Sequence, residues 1–198
     1  AQIESSKAFT RDLLSKYNIS GGPKYKTFSS IIGVSEFLSE LGKDYVVKFD
    51  GLAGGKGVKV SGDHLHSHRD ALDYCSEIIT NKGTFVIEQK FVGEEFSLMS
   101  FCDGTTLKHM PAIQDHKRAY VGDVGPNTGG MGTYSDNNHS LPFLNRADIL
   151  EAQNINIATS EAIKNKCGEG FKGVLYGGFM ATKNGVRLIE YNARFGDP

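Results

Sequence analysis

Residues 122–132 read Gly-Asp-Val-Gly-Pro-Asn-Thr-Gly-Gly-Met-Gly, so five of these eleven residues are glycine. Glycines bring no side chains to a core, but they leave backbone N–H groups that an anion can approach closely. Just upstream, residues 114–118 read Gln-Asp-His-Lys-Arg, and Lys117 and Arg118 suit the same anion. The alternative is an ordinary surface loop, since Gly, Pro, Asn and Asp are the usual turn formers. The neighbouring cations favour a binding loop.

The composition limits the class of protein. A chain of 198 residues with 39% hydrophobic and 23% charged residues is typical of one globular domain, or of two small lobes that share a cleft. Because 22 basic residues balance 23 acidic ones, a nucleic-acid binder with a broad positive surface is not expected. No apolar run approaches the ~20 residues that cross a bilayer, so no membrane partner is expected.

The cysteines indicate a reducing compartment. Cys75, Cys102 and Cys167 are odd in number and far apart, which fits reduced thiols in the cytoplasm better than disulfides or a zinc site. No signal peptide is visible. The sequence starts at Ala1 without a methionine and stops at Pro198 directly after a charged motif, so we expect a piece of a longer protein.

Hydrophobic periodicity and turn residues predict the secondary structure. Helices are expected at 3–17, 35–41, 64–80 and 146–166, and strands at 24–28, 45–49, 58–60, 84–88, 95–102, 105–108, 174–181 and 186–192. Asp103-Gly104 and Asn184-Gly185 are strong hairpin turns. Strands outnumber helices and most pairings are expected to be antiparallel, which predicts an α+β fold rather than a parallel dinucleotide-binding fold.

The loop Gly51–Gly57 resembles a Walker A loop only superficially. Gly51 and Gly55 enclose three residues, whereas a Walker A loop has four between its glycines. Gly57 follows Lys56 where Ser or Thr is required, and a strand follows the loop where a helix is needed. What remains is a glycine hairpin whose lysine, together with Lys48 on the preceding strand, suits a lid over a polyphosphate. A plain surface hairpin is the alternative.

Two further groups of polar residues could bind ligands. Residues 88–91 end a buried strand that could offer backbone groups to a purine edge, and Glu95 could accept hydrogen bonds from a ribose. Period-2 alternation places Glu190 and Asn192 on one strand face, where two oxygen ligands suit Mg²⁺. Surface carboxylates are the alternative for the first group, and a solvated strand face is the alternative for the second. His64 and His68 are interpreted as a solvated helix start with Asp63 as N-cap, not as a metal site.

Taken in order, the motifs form a series. They are Val-Val-Lys then Gly-Gly-Lys-Gly, Val-Ile-Glu-Gln then Gly-Glu-Glu, Gln-Asp-His-Lys-Arg, Gly-Pro-Asn-Thr-Gly-Gly-Met-Gly, and Glu-Tyr-Asn-Ala-Arg-Phe-Gly-Asp-Pro. In this order the chain resembles, over essentially its whole length, the ATP-grasp domain of the glycinamide ribonucleotide synthetases. The first two motifs occur in ATP-grasp enzymes generally, whereas the last three are specific to this family. Phe49, Gly54, Tyr191 and Ala193 depart from the usual residues, and none of them removes a charged or metal-binding side chain.

The resemblance implies a two-lobed ATP clamp with mainly antiparallel sheets and a glycine-rich lid hairpin. Residues 21–88 would form the smaller lid lobe, and residues 1–20 with 89–198 the catalytic lobe. The flanking N- and C-terminal domains of such enzymes are absent from this sequence, and in some eukaryotes the enzyme is fused to other purine-pathway activities.

The resemblance also implies a role for each site residue. The catalytic residues would be Lys56, Arg118 and Arg194. ATP would be bound by Lys48, Lys56, Glu88, Gln89, Lys90, Phe91, Glu95, Arg118 and Asn127. The substrates would be bound by Asp115, Thr128, Gly129, Gly130 and Asp197, and the metal by Glu190 and Asn192.

The implied reaction is the ATP-dependent ligation of glycine to 5-phosphoribosylamine through glycyl phosphate, with Mg²⁺ or Mn²⁺ as the metal. Such a ligase would act in the cytoplasm, in purine biosynthesis. Two alternatives stay open: another ATP-grasp carboxylate–amine ligase, and a nucleotide-binding fragment without turnover.

Overall fold

The computed structural model describes residues 1–53, 57–122 and 124–196, with the side chain of Asn127 excepted. The contacts divide the chain into two units, the first formed by 1–12 with 22–91 and the second by 13–21 with the residues from 92 onward. The lobe boundaries expected from the sequence remain a prediction. Among the described residues, no helix combines the length and the apolar character needed to span a bilayer.

The first unit is built on a four-stranded antiparallel sheet. Its strands are β1 (Tyr25–Phe28), β2 (Tyr45–Phe49), β3 (Val58–Val60) and β4 (Phe85–Gln89), and their order across the sheet is β1-β4-β2-β3. The helices of this part of the chain are α1 (Gln2–Ser5), α2 (Lys7–Lys16), α3 (Val34–Leu41) and α4 (His68–Thr80). α2 continues across the sequence boundary between the two units. Helix α3, helix α4 and one face of the sheet enclose the apolar core of the unit.

Helix α4 begins later than the sequence predicts. Ser67, not Asp63, is its N-cap, because the Ser67 side chain accepts a hydrogen bond from the Asp70 N–H while Asp70 accepts one from the Ser67 N–H. This reciprocal capping box fixes the first turn. His64 therefore lies outside the helix, where its Nδ1 accepts a hydrogen bond from the Val60 N–H.

The second unit is built on another antiparallel sheet, with strand order β12-β11-β5-β6. Its strands are β5 (Glu94–Asp103), β6 (Leu107–His109), β11 (Lys172–Thr182) and β12 (Gly185–Asn192). Two small two-stranded sheets join β7 (Gln114–Asp115) to β10 (Thr133–Tyr134), and β8 (Arg118–Tyr120) to β9 (Val124–Asn127). Helix α5 (Arg146–Cys167) packs on the large sheet. The described elements confirm the α+β prediction.

A polar network lies inside the packing of α5 on the sheet. The fully buried Asn156 of α5 donates to the Leu98 carbonyl and to Ser100 Oγ. The Tyr191 hydroxyl of β12 contacts Asn156 Oδ1 and Thr159 Oγ1, each at 3.0 Å. Because buried polar groups are costly unless they are hydrogen-bonded, this network fixes α5 on the strands beneath it.

Candidate functional site

One face of the second unit's sheet carries the residues predicted to bind the metal. Along β11 and β12, Asn192 pairs with Tyr176 and Glu190 pairs with Gly178, so both oxygen-bearing side chains project from the same face. A β-bulge follows immediately at Gly178/Phe179. The bulge changes the alternation of β12, so that Leu188 lies opposite Phe179 and both are fully buried. The strand therefore keeps its apolar contacts while Glu190 stays on the polar face.

Lys117 joins this polar face through the path of the preceding chain. After β6, the segment runs antiparallel to β5, with Ser97 and Ile113 exchanging backbone hydrogen bonds of 2.8 and 3.0 Å. This path brings Lys117 Nζ to 2.5 Å from Glu95 Oε1. The two side chains are 40% and 45% exposed, so the ion pair by itself adds little to stability. The ion pair matters because it holds the Lys117 ammonium on the polar face.

Charges on this face perturb one another. Burial alone lowers the pKa of Lys117, but attraction to Glu95 and then to Glu190 outweighs it, so the pKa lies above its ordinary value. Burial raises the pKa of Tyr176, whose hydroxyl lies 2.5 Å from Ser97 Oγ. On this face, Lys117 is therefore paired with Glu95 and attracted to Glu190.

The glycine-rich segment is fixed by hydrogen bonds to the motif that precedes it. The Lys117 carbonyl accepts from the Thr128 N–H at 2.7 Å and from Thr128 Oγ1 at 2.9 Å. The Gly130 N–H donates to Thr128 Oγ1, and the His116 carbonyl accepts from the Met131 N–H. The sequence prediction of a loop is thus only partly right, because residues 124–127 form β9. The predicted substrate residues Thr128, Gly129 and Gly130 lie on this segment, and Asp115 lies on β7, where it pairs with Thr133.

The predicted arginines take different environments. Arg118 pairs with Asn127 across β8 and β9, and its Nη1 donates to the Gly125 carbonyl at 3.0 Å. Arg194 follows the end of β12, is exposed, and donates to the Phe195 carbonyl. The predicted residues Lys56 and Asp197 lie outside the described residues, as does the side chain of Asn127.

The first unit holds a buried ionic cluster around Glu88. Arg11 Nε and Nη2 donate to the two Glu88 carboxylate oxygens at 2.7 and 3.0 Å, and Lys48 Nζ lies 2.5 Å from Glu88 Oε1. All three side chains are at most 4% exposed. Burial alone raises the pKa of Glu88, but the two cations hold it below its ordinary value. Glu88 is therefore an ionised partner of Lys48.

Strand register explains how Lys48 reaches Glu88. Lys48 on β2 pairs with Val86 on β4, and Glu88 lies two residues further along β4 on the same face. Diagonal neighbours of this kind are within reach of a long side chain. The opposite face, which carries Val47, Phe85 and Ile87, belongs to the apolar core, so both faces of these strands are buried.

Residues 89–91 follow Glu88 at the end of β4. Gln89 is exposed, and its N–H donates to the Lys24 carbonyl. The Lys90 ammonium donates to the Ser61 carbonyl at 2.8 Å, and Phe91 is partly exposed. These contacts fix the backbone of the predicted adenine-binding segment.

Sequence reasoning missed three residues of these clusters. Arg11 lay in a segment interpreted only as an amphipathic helix, although an arginine on the apolar side of such a stripe is a usable signal. Tyr176 and Ser97 looked like ordinary strand residues, and only the pairing of β5 with β11 brings them together.

Among the described residues, no group of three or more His, Cys, Asp or Glu side chains is arranged to hold a metal. Glu190 and Asn192 supply two oxygens, which fits Mg²⁺, an ion that keeps waters and binds substrate phosphates.

Known proteins resemble this chain throughout. A family model described as the phosphoribosylglycinamide synthetase ATP-grasp (A) domain matches residues 5–198. The phosphoribosylamine–glycine ligases of Methanobrevibacter smithii and Methanosarcina acetivorans are 52% and 50% identical to it, over all of this chain and 46% and 44% of their own lengths. The crystal structure of phosphoribosylamine–glycine ligase from Thermotoga maritima gives a TM-score of 0.87 at 30% identity and covers 100% of this chain and 49% of that one.

The fold and these matches define an ATP-grasp domain. Within that class, the chain belongs to the phosphoribosylglycinamide synthetase ATP-grasp (A) domain family. It spans about half the length of the curated relatives that it matches.

Proposed function

We propose that the protein to which this chain belongs ligates glycine to the amine of 5-phosphoribosylamine, converting ATP to ADP and phosphate. Family membership over residues 5–198 supports the reaction class. The observation that carries the proposal within the chain is the polar sheet face on which Glu190 and Asn192 lie together, with Lys117 and Glu95 beside them. Such a ligase belongs to purine biosynthesis.

The residues present suit the chemistry of carboxylate activation. A carboxylate is a poor electrophile, so the γ-phosphoryl group of ATP first transfers to a glycine carboxylate oxygen and gives glycyl phosphate. The substrate amine then attacks the acyl carbon and phosphate leaves. Phosphoryl transfer depends on positioning and charge neutralisation more than on a protein nucleophile. A site rich in Lys, Arg and carboxylates answers that requirement.

Each role assigned from the sequence belongs to this proposal. Lys48, held by Glu88, would bind phosphates, and the backbone of residues 88–91 would bind adenine. Glu95 would bind the ribose, and the remaining ATP contacts would come from Lys56, Arg118 and Asn127. The substrates would be held by Asp115, Thr128, Gly129, Gly130 and Asp197, with Arg194 beside them. Glu190 and Asn192 would hold Mg²⁺ or Mn²⁺, which supplies charge neutralisation at the phosphates.

The biological setting is proposed with it. The free thiols Cys75, Cys102 and Cys167 fit a cytoplasmic enzyme. Because the chain covers less than half of its relatives' length, further domains of the full-length protein, including fused purine-pathway activities, are part of the proposal.

The direct test supplies the full-length protein with ATP, Mg²⁺, glycine and freshly generated phosphoribosylamine. The expected products are ADP, phosphate and glycinamide ribonucleotide, the last identified by mass spectrometry. With hydroxylamine in place of phosphoribosylamine, glycyl phosphate should be trapped as glycine hydroxamate. ADP formation that does not require glycine would overturn the proposal, and turnover with a different acid or amine would favour another ATP-grasp ligase.

A matched pair of variants tests the assigned metal residue. Glu190→Gln should abolish turnover, whereas Glu161→Gln, an equal charge change at an exposed position of α5, should leave it unchanged. If ATP binds the isolated chain without ADP formation, the chain is a nucleotide-binding fragment. Equal turnover in the two variants would contradict the role of Glu190.

A further inference from the structure

We propose that Lys117 is an internal counter-cation of the metal site: held by Glu95, it competes with the divalent ion for the carboxylate of Glu190. This inference rests on the proposed function, because Glu190 is assigned there as a metal ligand. It adds a distinct property: the metal-free site is closed by an ammonium of the chain itself, and the metal binds by displacing it.

The first observation is geometric. Lys117 Nζ lies 2.5 Å from Glu95 Oε1, so the ammonium is held directly on the polar sheet face. Glu95 pairs with Met180 on β11, and Gly178, the partner of Glu190, is two residues away on the same strand and face. Glu95 and Glu190 thus project from the same sheet face, on the two strands that flank β11. A second carboxylate close to an ammonium is attracted to it as the first one is.

The second observation is electrostatic. The Glu190 carboxylate contributes to the raised pKa of Lys117, next in strength after Glu95. Lys117 is therefore paired with Glu95 and also attracted to Glu190. A carboxylate that is already neutralised attracts a divalent ion less strongly than a free one.

The third observation concerns the freedom of the side chain. The Lys117 carbonyl is held by both the N–H and the hydroxyl of Thr128, so the backbone at this position is fixed. The side chain itself is 40% exposed. The ammonium can leave the carboxylates by rotation about its own side-chain bonds, into solvent, without any movement of the strands. A lysine, with its flexible four-carbon stem, is suited to this displacement.

Competition of this kind has a measurable consequence. Removing the charge of Lys117 should tighten metal binding to the nucleotide-free protein, because the ion no longer has to displace a cation. One positive charge removed at such close range is expected to tighten Mn²⁺ binding roughly tenfold. Metal-ligand residues generally show the opposite behaviour, since their removal weakens binding.

The experiment titrates Mn²⁺ into the nucleotide-free full-length protein, with free Mn²⁺ measured by electron paramagnetic resonance. Lys117→Met should bind Mn²⁺ roughly tenfold more tightly than the parent. Lys117→Arg keeps the charge and should stay close to the parent. Lys183→Met makes the same charge change at an exposed position of the β11–β12 turn and should also stay close to the parent. Urea unfolding checks that each variant is folded.

The double variant Lys117→Met/Glu190→Gln tests whether the gain in Mn²⁺ affinity arises at the proposed site. It should remove the gain in Mn²⁺ affinity. A Lys117→Met protein that binds Mn²⁺ no more tightly than the parent, including undetectable binding in both, overturns the inference, as does a gain that persists without the Glu190 carboxylate. A different measurement tests the proposed function: if it is wrong, the parent protein will not form ADP in a glycine-dependent reaction.

Discussion

Arg11 and Glu88 are 77 positions apart in the sequence, and Arg11 Nε donates to Glu88 Oε2 at 2.7 Å inside the first unit. The guanidinium uses two nitrogens on the two carboxylate oxygens, the geometry in which arginine–carboxylate pairs are strongest. Lys48 shares the same carboxylate. Arg11 of helix α2 is therefore joined to β4, the strand from which the predicted adenine-binding segment emerges.

Replacing Arg11 with Met should strongly destabilise the protein. The substitution leaves the buried Glu88 carboxylate without its bidentate partner, and breaking a buried pair in this way costs roughly 3–5 kcal/mol. Arg11→Lys keeps the charge but loses the two-nitrogen geometry, so a smaller loss of roughly 1–2 kcal/mol is expected. Urea unfolding monitored by circular dichroism measures both. Equal losses in the two variants would show that charge at this position is unimportant.

The same cluster predicts how stability depends on pH. The pKa of Glu88 is lower in the folded protein than the ordinary carboxyl value of 4.5, so the folded state favours the ionised form. Its contribution is complete above pH 4.5 and is lost as the pH falls below that value through the folded-state pKa. Unfolding free energies measured from pH 7 to pH 3 should therefore fall less steeply at the acid end for Glu88→Gln than for the parent. Glu36→Gln, an exposed position on α3, should follow the parent curve.

Tyr191→Phe tests the polar network beneath the polar sheet face. The substitution removes the hydroxyl that contacts Asn156 and Thr159, and it leaves two buried polar groups each short of a partner. The expected loss in the free energy of unfolding is roughly 1–3 kcal/mol. The matched change Tyr134→Phe removes a hydroxyl that bonds Gln114 at an exposed position, and a loss below about 0.5 kcal/mol is expected. A Tyr191→Phe protein as stable as the parent would contradict the importance of the network.

The cysteines should differ in reactivity. Cys75 is fully buried, and desolvation raises its pKa to about 12, so almost no thiolate is present at pH 8. Cys167 is exposed at the end of α5. Brief treatment of the folded protein with iodoacetamide, followed by peptide mass spectrometry, should therefore label Cys167 and leave Cys75 unmodified. Labelling of both at equal rates would contradict the burial of Cys75, and equal labelling after unfolding in guanidinium is the control.

Local sequence signals predicted most of the elements. Asp103-Gly104 and Asn184-Gly185 lie at the ends of the strands that they were expected to join, and α5 begins at Arg146 as predicted. The start of α4 was wrong because Asp63 and Ser67 are both acceptable N-caps by residue type. The choice between them depends on the partner three residues later, which is Asp70 for Ser67. The expected site residues could be named from motif order, but their contacts could not.

The sequence by itself determined the α+β class, the alternation that places Glu190 and Asn192 on one face, and the motif order that matches the family. Those features depend on residues close together in the chain. Only the tertiary structure decided that Arg11 and Lys48 share Glu88, and that Lys117 pairs with Glu95. Arg11 and Glu88 are 77 positions apart in the sequence, and Lys117 and Glu95 are 22 positions apart. Which charges meet depends on strand register and on the backbone path between strands, and no local preference of the chain fixes either.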